Sequence, residues 1–597
     1  MNFKCVSDLS SFLQQQYPAV SFPAAWQVVG DKCPGNMSGD LTINCFRFAR
    51  LFRQAPDAMA REVAAFLAGH DDVETAEAVK AFVNITLRPG AVHRDTVADP
   101  NRILGATIVP AARRRRILIE YSAPNTNKPQ HLGHVRNNTL GMSLAALLQR
   151  VGHEVIPINL VNDRGIHICK SMIAYQRFGE GETPASSGIK GDHLVGKYYV
   201  RFNTELKRQL DALTQARPEL ADRSDEDLFL ETELGAATQK MLQDWEAGVP
   251  VVRELWQLMN SWVFAGFAQT YARMGVKFAH TYLESETYLL GKDNILDGLA
   301  RGVFSRRDDG AIIADLGKLG QKVVLRSDGT SVYITQDIGT TIRKYNDYHP
   351  DTQIWVVGDE QIHHFKMLFE ILRRMGFSWA DNLYHLAYGM VNLPSGKMKS
   401  REGTVVDADD LFAEMAALAR AATLERCGDE IPADLDERAE IIGMGALKFM
   451  LLKFNPKTTM MFDPQASLKF EGDTGPYVQY AGARINSIAA KAAEKGLVIS
   501  DDVNWELLAA PEEKALSIMA SFYPATLAEA AEKMDCSVLV GYLLDLAKAF
   551  NRFYRECPVL SAEDDALRQA RMQLCFRIRD LLTDGLNTLT IGVPAAM

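Results

Sequence analysis

The sequence predicts an α/β protein: a parallel-sheet body with a helical insertion, preceded by a small α+β unit and followed by an all-α module. Three observations predict it. Residues 117–163 read as strand, loop, helix, strand, a βαβ unit with a right-handed crossover. Residues 180–275 are polar and helix-prone, and lie between strand-rich stretches. From about residue 409 onward, strand signals fade and helical periodicity takes over.

Taken in order, GDLTINCFRFARLF (39–52) and AFVNITLRP (81–89) give the first unit its turn residues and strand formers. PAARRRR (110–116) reads as a charged linker. ILIEYSA (117–123) is a buried strand that ends at Pro124, and EVIPINLVND (154–163) is the second strand. Between them Leu140, Leu144, Leu147 and Leu148 share one helical face. The insertion carries Trp245, Trp256 and Trp262 at core-like spacings. After it, AIIADL (311–316), KVVLRSDG (322–329), SVYITQDIG (331–339) and QIWVVGD (353–359) read as strands that complete the parallel sheet. The expected domains are 1–110, 111–408 with its insertion at about 180–275, 409–464 and 465–597.

The chain has 597 residues, which suggests about three to five domains. A chain this long can bury several cores without disulfides or a structural metal. Lys and Arg number 65 against 75 Asp and Glu, a formal net charge of −10. That excludes coating nucleic acid through bulk charge, while leaving room for a local basic groove. There is no apolar run of about 18 residues, so no membrane span is expected. The N-terminal segment lacks a signal-peptide pattern. The eight cysteines are scattered with no CxxC pair, which fits reduced thiols in a cytosol.

Two segments carry chemistry. His131-Leu132-Gly133-His134 sits where a strand gives way to a helix, a place whose free N–H groups and dipole attract anions such as phosphate. Taken alone it could equally be a metal pair or surface histidines. Gly396-Lys397-Met398-Lys399-Ser400-Arg401-Glu402-Gly403 is a basic run between glycines, able to bend over a polyphosphate or to form a solvated turn.

These two segments resemble the signatures of class I aminoacyl-tRNA synthetases, a Rossmann-like family. More narrowly, the chain is similar to arginyl-tRNA synthetases nearly end to end. The matching stretches are EYSAPNTNKPQHLGH (120–134), NLVNDRGIHICKSM (159–172), YITQDIG (333–339), VGDEQIHHF (357–365), MVNLPSGKMKSREGTVV (390–406) and EGDTGPYVQYAGARI (471–485). The resemblance implies that arginine is activated by ATP, accompanied by Mg²⁺, and transferred to tRNA(Arg). It also implies a requirement for tRNA during activation, a cytoplasmic monomer, and no protein-bound metal. It makes residues 465–597 an anticodon-binding domain and 1–110 an additional tRNA-contacting domain.

By resemblance, Asp337 grips the guanidinium, Glu120 assists and Tyr333 packs on the arginine side chain. Ala123, Asn125, His134 and Gln361 line the arginine pocket. Gly133, His131, His134, Gly358, Met390 and Lys397 meet ATP. His131, His134, Lys128, Lys397 and Lys399 stabilise phosphate charge. The chain departs from the class in two places: Ser400 stands where the second lysine of the KMSKS loop falls, and Ala123 where many relatives carry serine. Lys399, displaced by one position, and Lys128 are candidates to replace the missing lysine. A guanidinium asks for paired carboxylate acceptors, so arginine selection needs no editing domain. For tRNA, Tyr477, Tyr480 and Arg484 lie in the segment that resembles the family's tRNA-contacting helix. Phe553 and Tyr554 belong to an aromatic–basic cluster with Phe550, Arg552 and Arg555. The alternatives are an adenylyltransferase that acts without RNA and a relative that binds RNA without catalysis.

Overall fold

The computed structural model describes residues 3–23, 26–34, 37–220, 222–392, 406–427 and 431–597. The chain forms two compact units: 1–110, 422–449 and 468–597 make one, and 111–421 with 450–467 make the other.

The first unit opens with α1 (Lys4–Gln16), β1 (Gly30–Lys32), β2 (Leu41–Asn44), α2 (Pro56–Ala68), β3 (Val73–Val79), β4 (Phe82–Leu87) and α3 (Pro89–Asp95). Its sheet is antiparallel with order β1-β2-β4-β3. Leu41, Ile43, Val83 and Ile85 pack beneath α1 and α2.

The second unit is built on β5 (Arg116–Glu120), α4 (Leu132–Arg150), β6 (Glu154–Val161), α5 (Ile166–Phe178), α6 (Gly191–Ala216), α7 (Glu233–Glu246), α8 (Pro250–Met274), β7 (His280–Leu283), β8 (Ser305–Arg306), β9 (Ile312–Asp315), β10 (Gln321–Leu325), α9 (Tyr333–Tyr348), β11 (Thr352–Gly358), α10 (Ile362–Arg374), β12 (Leu383–Tyr388), β13 (Val391–Asn392), α11 (Ala408–Cys427) and β14 (Met460–Met461). The central sheet is parallel, order β12-β11-β5-β6-β7. β5 has a parallel neighbour on each side, which is why ILIE is apolar until its last residue. The order reverses beside β5. Above the carboxyl ends of strands flanking such a switch point lies a crevice. Helices α5 to α8 form the insertion, with Met172, Val195, Phe202 and Val263 in its core.

Two expectations about the second half of the sheet are corrected. AIIADL and KVVLRSDG do not join the parallel sheet; they lie in a separate antiparallel sheet of order β10-β9-β8. YITQDIG is helix, the first two turns of α9. Its β-branched residues suggested strand, but Ile334 and Ile338 are one helical turn apart and both are buried.

The first unit ends with α12 (Leu435–Leu452, up to residue 449), α13 (Gly475–Glu494), α14 (Pro511–Ser521), α15 (Tyr523–Lys533), α16 (Ser537–Glu556) and α17 (Asp565–Thr588). Asp564 caps α17 by accepting from the N–H groups of Ala566 and Leu567, at 2.6 and 3.0 Å. All eight cysteines are free and seven are buried. Among the described residues, no helix is long and apolar enough to cross a membrane.

Within this unit α3 docks on α14 through His93, which is fully buried. Its Nε2 lies 2.9 Å from the Leu508 carbonyl and its Nδ1 2.8 Å from the Ser517 hydroxyl. A carbonyl only accepts, so Nε2 carries the proton and Nδ1 accepts from Ser517. Lys514 on α14 also pairs with Asp40 at 2.7 Å. Burial pushes the His93 imidazole down to about 4. The unfolded chain, with an ordinary imidazole, therefore binds more protons below pH 6.5, and stability falls as pH drops from there toward 4. The full contribution is about 3 kcal/mol. His93→Gln is expected to flatten the decline in melting temperature between pH 7 and pH 5, as measured by calorimetry. An unchanged slope would contradict this.

Candidate functional site

The site begins where β5 stops. Ser122 and Ala123 both have positive φ, 81° and 46°, a conformation that side chains resist. Two side chains hold the turn. Asn137 accepts from the Ser122 N–H at 2.5 Å and Asn159 accepts from the Ala123 N–H at 3.0 Å. The Asn137 amide donates to the Val356 carbonyl at 2.8 Å, tying β5 to β11.

At the start of α4 the histidines cap the helix reciprocally. His131 Nδ1 accepts from the Gly133 N–H at 3.1 Å, and His134 Nδ1 accepts from the His131 N–H at 3.2 Å. In a neutral imidazole the nitrogen that accepts has no proton. Both rings therefore carry the proton on Nε2. Burial and then Lys128 push His131 down to about 4. Burial, then His131 and Lys128, hold His134 well below the usual imidazole range. The result is two neutral Nε2–H donors at a helix N-terminus, with ring centroids 4.0 Å apart.

Both rings border a cavity of about 590 Å³ at the ends of β5, β11 and β12. Ala123, Gly133, Gly358 and Met390 line it too. Its floor includes Thr459. Arg136 is fully buried below, donating to the carbonyls of Pro456 and Thr458 at 3.0 and 2.8 Å. Lys128 lies off this cavity. With His131, His193 and Asp407 it lines a smaller one of about 230 Å³, and burial lowers its ammonium pKa.

Away from this cavity the chemistry changes sign. Glu284, just after β7, is raised to about 7 by burial and by Asp163 and Asp337, against a lowering influence from Arg164. Asp163 accepts from the N–H and hydroxyl of Ser285, at 2.8 and 2.7 Å. Asp337 lies 2.7 Å from His364 Nε2. Tyr333, at the first turn of α9, is 70% exposed and lies within electrostatic reach of Glu284 and Asp337. Glu120 is buried and bonded to Lys344. Neither Glu120 nor Asp337 lines the histidine cavity. Asn125 and Gln361 are exposed, Asn125 bridged to Asn162 and Gln361 ahead of α10.

The chain that follows GKMKSREG returns to the histidines. The Leu132 N–H donates to the Val406 carbonyl at 3.1 Å, and the Ala408 N–H to the Gln130 carbonyl at 3.0 Å. A knot of charge fixes this segment. Lys190 reaches Asp409, Thr270 and Asp192 at 2.6, 2.6 and 3.1 Å, and His193 lies 3.2 Å from Asp409. Asp192, His193 and Asp409 could together hold a metal ion, yet the Lys190 ammonium already bridges the two carboxylates. Lys397 and Lys399 lie outside the described residues.

Residues 104–464 match the model for class I tRNA synthetases (R), catalytic domain. Residues 478–597 match the DALR anticodon binding domain, and 22–87 the arginyl tRNA synthetase N terminal domain. The chain belongs to the arginyl-tRNA synthetase family. It is 42% identical to an arginine–tRNA ligase of Parabacteroides distasonis over 579 residues, 96% of each chain. It is 44% identical to one from Treponema denticola over 585 residues, 94% of each. Its fold is similar to the Thermus thermophilus arginyl-tRNA synthetase, with a TM-score of 0.79 and 27% identity over the whole of both chains.

In the family's helical module, Tyr477 and Tyr480 are half-buried on α13. Arg484 stacks 4.7 Å from the Tyr480 ring and 5.1 Å from the Tyr554 ring, and donates to Asn551 at 2.8 Å. Tyr554 is 38% exposed. Phe553 is corrected: like Phe550 it is fully buried and offers no face to a base. On α16 the apolar stripe points Phe550 and Phe553 inward and leaves Tyr554 at the edge.

The sequence reading missed Glu284, Arg136, Asn137 and the Lys190 knot. Only Asn137, three residues after His134, had a local signal. A Cβ on Gly133 would lie 2.9 Å from His131 Cε1 and 3.0 Å from its Nδ1, forcing the ring off its cap. Gly133→Ala is expected to lower adenylate formation about 10²-fold, read by pyrophosphate exchange, with little change in melting temperature. Near-normal exchange would show that the ring's placement is unimportant.

Proposed function

We propose that this chain activates L-arginine with ATP and transfers it to the 2′-hydroxyl of the terminal adenosine of tRNA(Arg). The observation that carries the reading is that this unit gathers two separate chemistries. Two neutral imidazole donors stand at a helix mouth, and apart from their cavity the carboxyl groups of Asp163 and Asp337 lie within electrostatic reach of that of Glu284. The first suits a triphosphate and the second a guanidinium.

In the first step the arginine carboxylate attacks the α-phosphate of ATP in line. A P–O bond forms to the carboxylate oxygen and the bond to pyrophosphate breaks. His131 and His134 donate Nε2–H to phosphate oxygens as charge shifts toward the leaving group, so they need no proton change during the step. Mg²⁺ arrives with ATP as part of that substrate. Lys128, Lys397 and Lys399 add positive charge. In the second step the ribose hydroxyl attacks the acyl carbon and AMP leaves. We assign Asp337, Tyr333, Glu120 and Glu284 to the arginine side chain, and Asn125, Gln361 and Ala123 to its backbone end. Gly133, Gly358 and Met390 frame ATP, and Tyr477, Tyr480, Arg484 and Tyr554 meet tRNA. Residues 1–110 and 465–597 are assigned as tRNA-contacting domains. Activation requires bound tRNA, and the enzyme acts as a cytoplasmic monomer.

The test is aminoacylation of total tRNA with each labelled amino acid. Charging with arginine alone is expected; charging with another amino acid while arginine stays inert would end the proposal. Exchange that needs no tRNA, with no charging, would point to an RNA-independent adenylyltransferase. Asp337→Ala is expected to raise the arginine KM at least about tenfold more than the ATP KM; equal losses would contradict its role. Glu284 adds a pH signature. Its carboxyl must lose a proton to meet a cation, so the arginine KM should fall about five- to tenfold from pH 6 to pH 8. Glu284→Gln should flatten that profile, and a profile unchanged by the substitution would remove Glu284 from the pocket. Tyr480→Ala should raise the tRNA KM and leave the ATP KM unchanged.

A further inference from the structure

Lys344 lies on α9 seven residues after Asp337, two turns along the same face. It is 2% exposed, and its ammonium bonds the Glu120 carboxylate at Oε2. The two residues are 224 positions apart in sequence, so only the fold brings them together. The ammonium also lies 5.8 Å from the Trp355 ring and 5.9 Å from the Tyr282 ring, both buried. Glu120 ends the central strand and pairs in register with Trp355 on β11 and Ile158 on β6.

An enclosed carboxylate is oriented by the cation it is bonded to. For Glu120 that cation is Lys344. Closed in by aromatic faces and almost without exposure, it has no solvent to swing into when a ligand arrives. It is therefore a fixed part of the site rather than a stand-in that substrate displaces. With Oε2 committed to Lys344, Oε1 is the oxygen left for a substrate N–H.

We propose that Lys344 is a positioning residue for the amino-acid site, holding the Glu120 carboxylate oriented so that it can receive the substrate guanidinium. This rests on the assignment of Glu120 to the arginine pocket. Without Lys344 the Glu120 carboxylate loses the bond that sets its orientation. Arginine affinity then falls, while the histidine cavity, which Glu120 does not line, is untouched.

The experiment measures steady-state aminoacylation by Lys344→Met, Lys344→Arg, Glu120→Gln and the double variant Glu120→Gln/Lys344→Met. Lys344→Met is expected to raise the arginine KM about tenfold or more, leaving the ATP KM and kcat within about threefold. Lys344→Arg, which keeps the charge, should restore most of the loss. In the double variant Lys344→Met should add nothing to Glu120→Gln, because Lys344 acts only through that carboxylate. The double variant leaves no orphaned charge, so it also serves if the single variant fails to fold. An unchanged arginine KM in Lys344→Met, or full additivity in the double variant, overturns the proposal. An unchanged arginine KM in Glu120→Gln instead overturns the underlying assignment of Glu120.

Discussion

The reciprocal cap at the start of α4 is the interaction on which the site depends. A helix N-terminus leaves backbone N–H groups without partners. Here the N–H groups of Gly133 and His131 are taken by the Nδ1 atoms of His131 and His134. One pair of bonds ends the loop after β5, starts the helix, fixes both ring orientations and fixes both tautomers. The donors that remain face a cavity and carry no charge, so they gain strength as phosphate charge develops. The chain after GKMKSREG then pairs with Gln130 and Leu132, bringing the second signature's exit beside the first.

The second constraint is the handling of buried charge. In the second unit buried Glu120 has Lys344, half-buried Asp337 has His364, and Asp192 with Asp409 have Lys190. Glu284 lacks so close a cation and responds by holding its proton until near pH 7. None of Glu120, Asp163, Glu284 and Asp337 lines the histidine cavity, so the donors for phosphate and the acceptors for a cation stay apart.

Much of this was legible in the chain. The βαβ unit, the insertion and the helical C-terminal half follow from periodicity, and the histidine segment from its place between strand and helix. The misreadings have physical causes. YITQDIG has strand-forming residues, but its burial has helical period once packed, with Ile334 and Ile338 in the core. AIIADL and KVVLRSDG are strands, yet nothing in a strand's own residues says which sheet it joins. Phe553 and Tyr554 are adjacent aromatics that a helix sends in different directions, one into the core and one to the edge.

Sequence by itself determined the local elements, the family and the chemical types available at each position, because these depend on spacing of a few residues. Only the tertiary structure decided which charges meet. Glu120 with Lys344 and Glu284 with Asp163 and Asp337 are pairings across long stretches of chain. Protonation depends on distance and burial, and neither is fixed until the sheet and helices have closed around them.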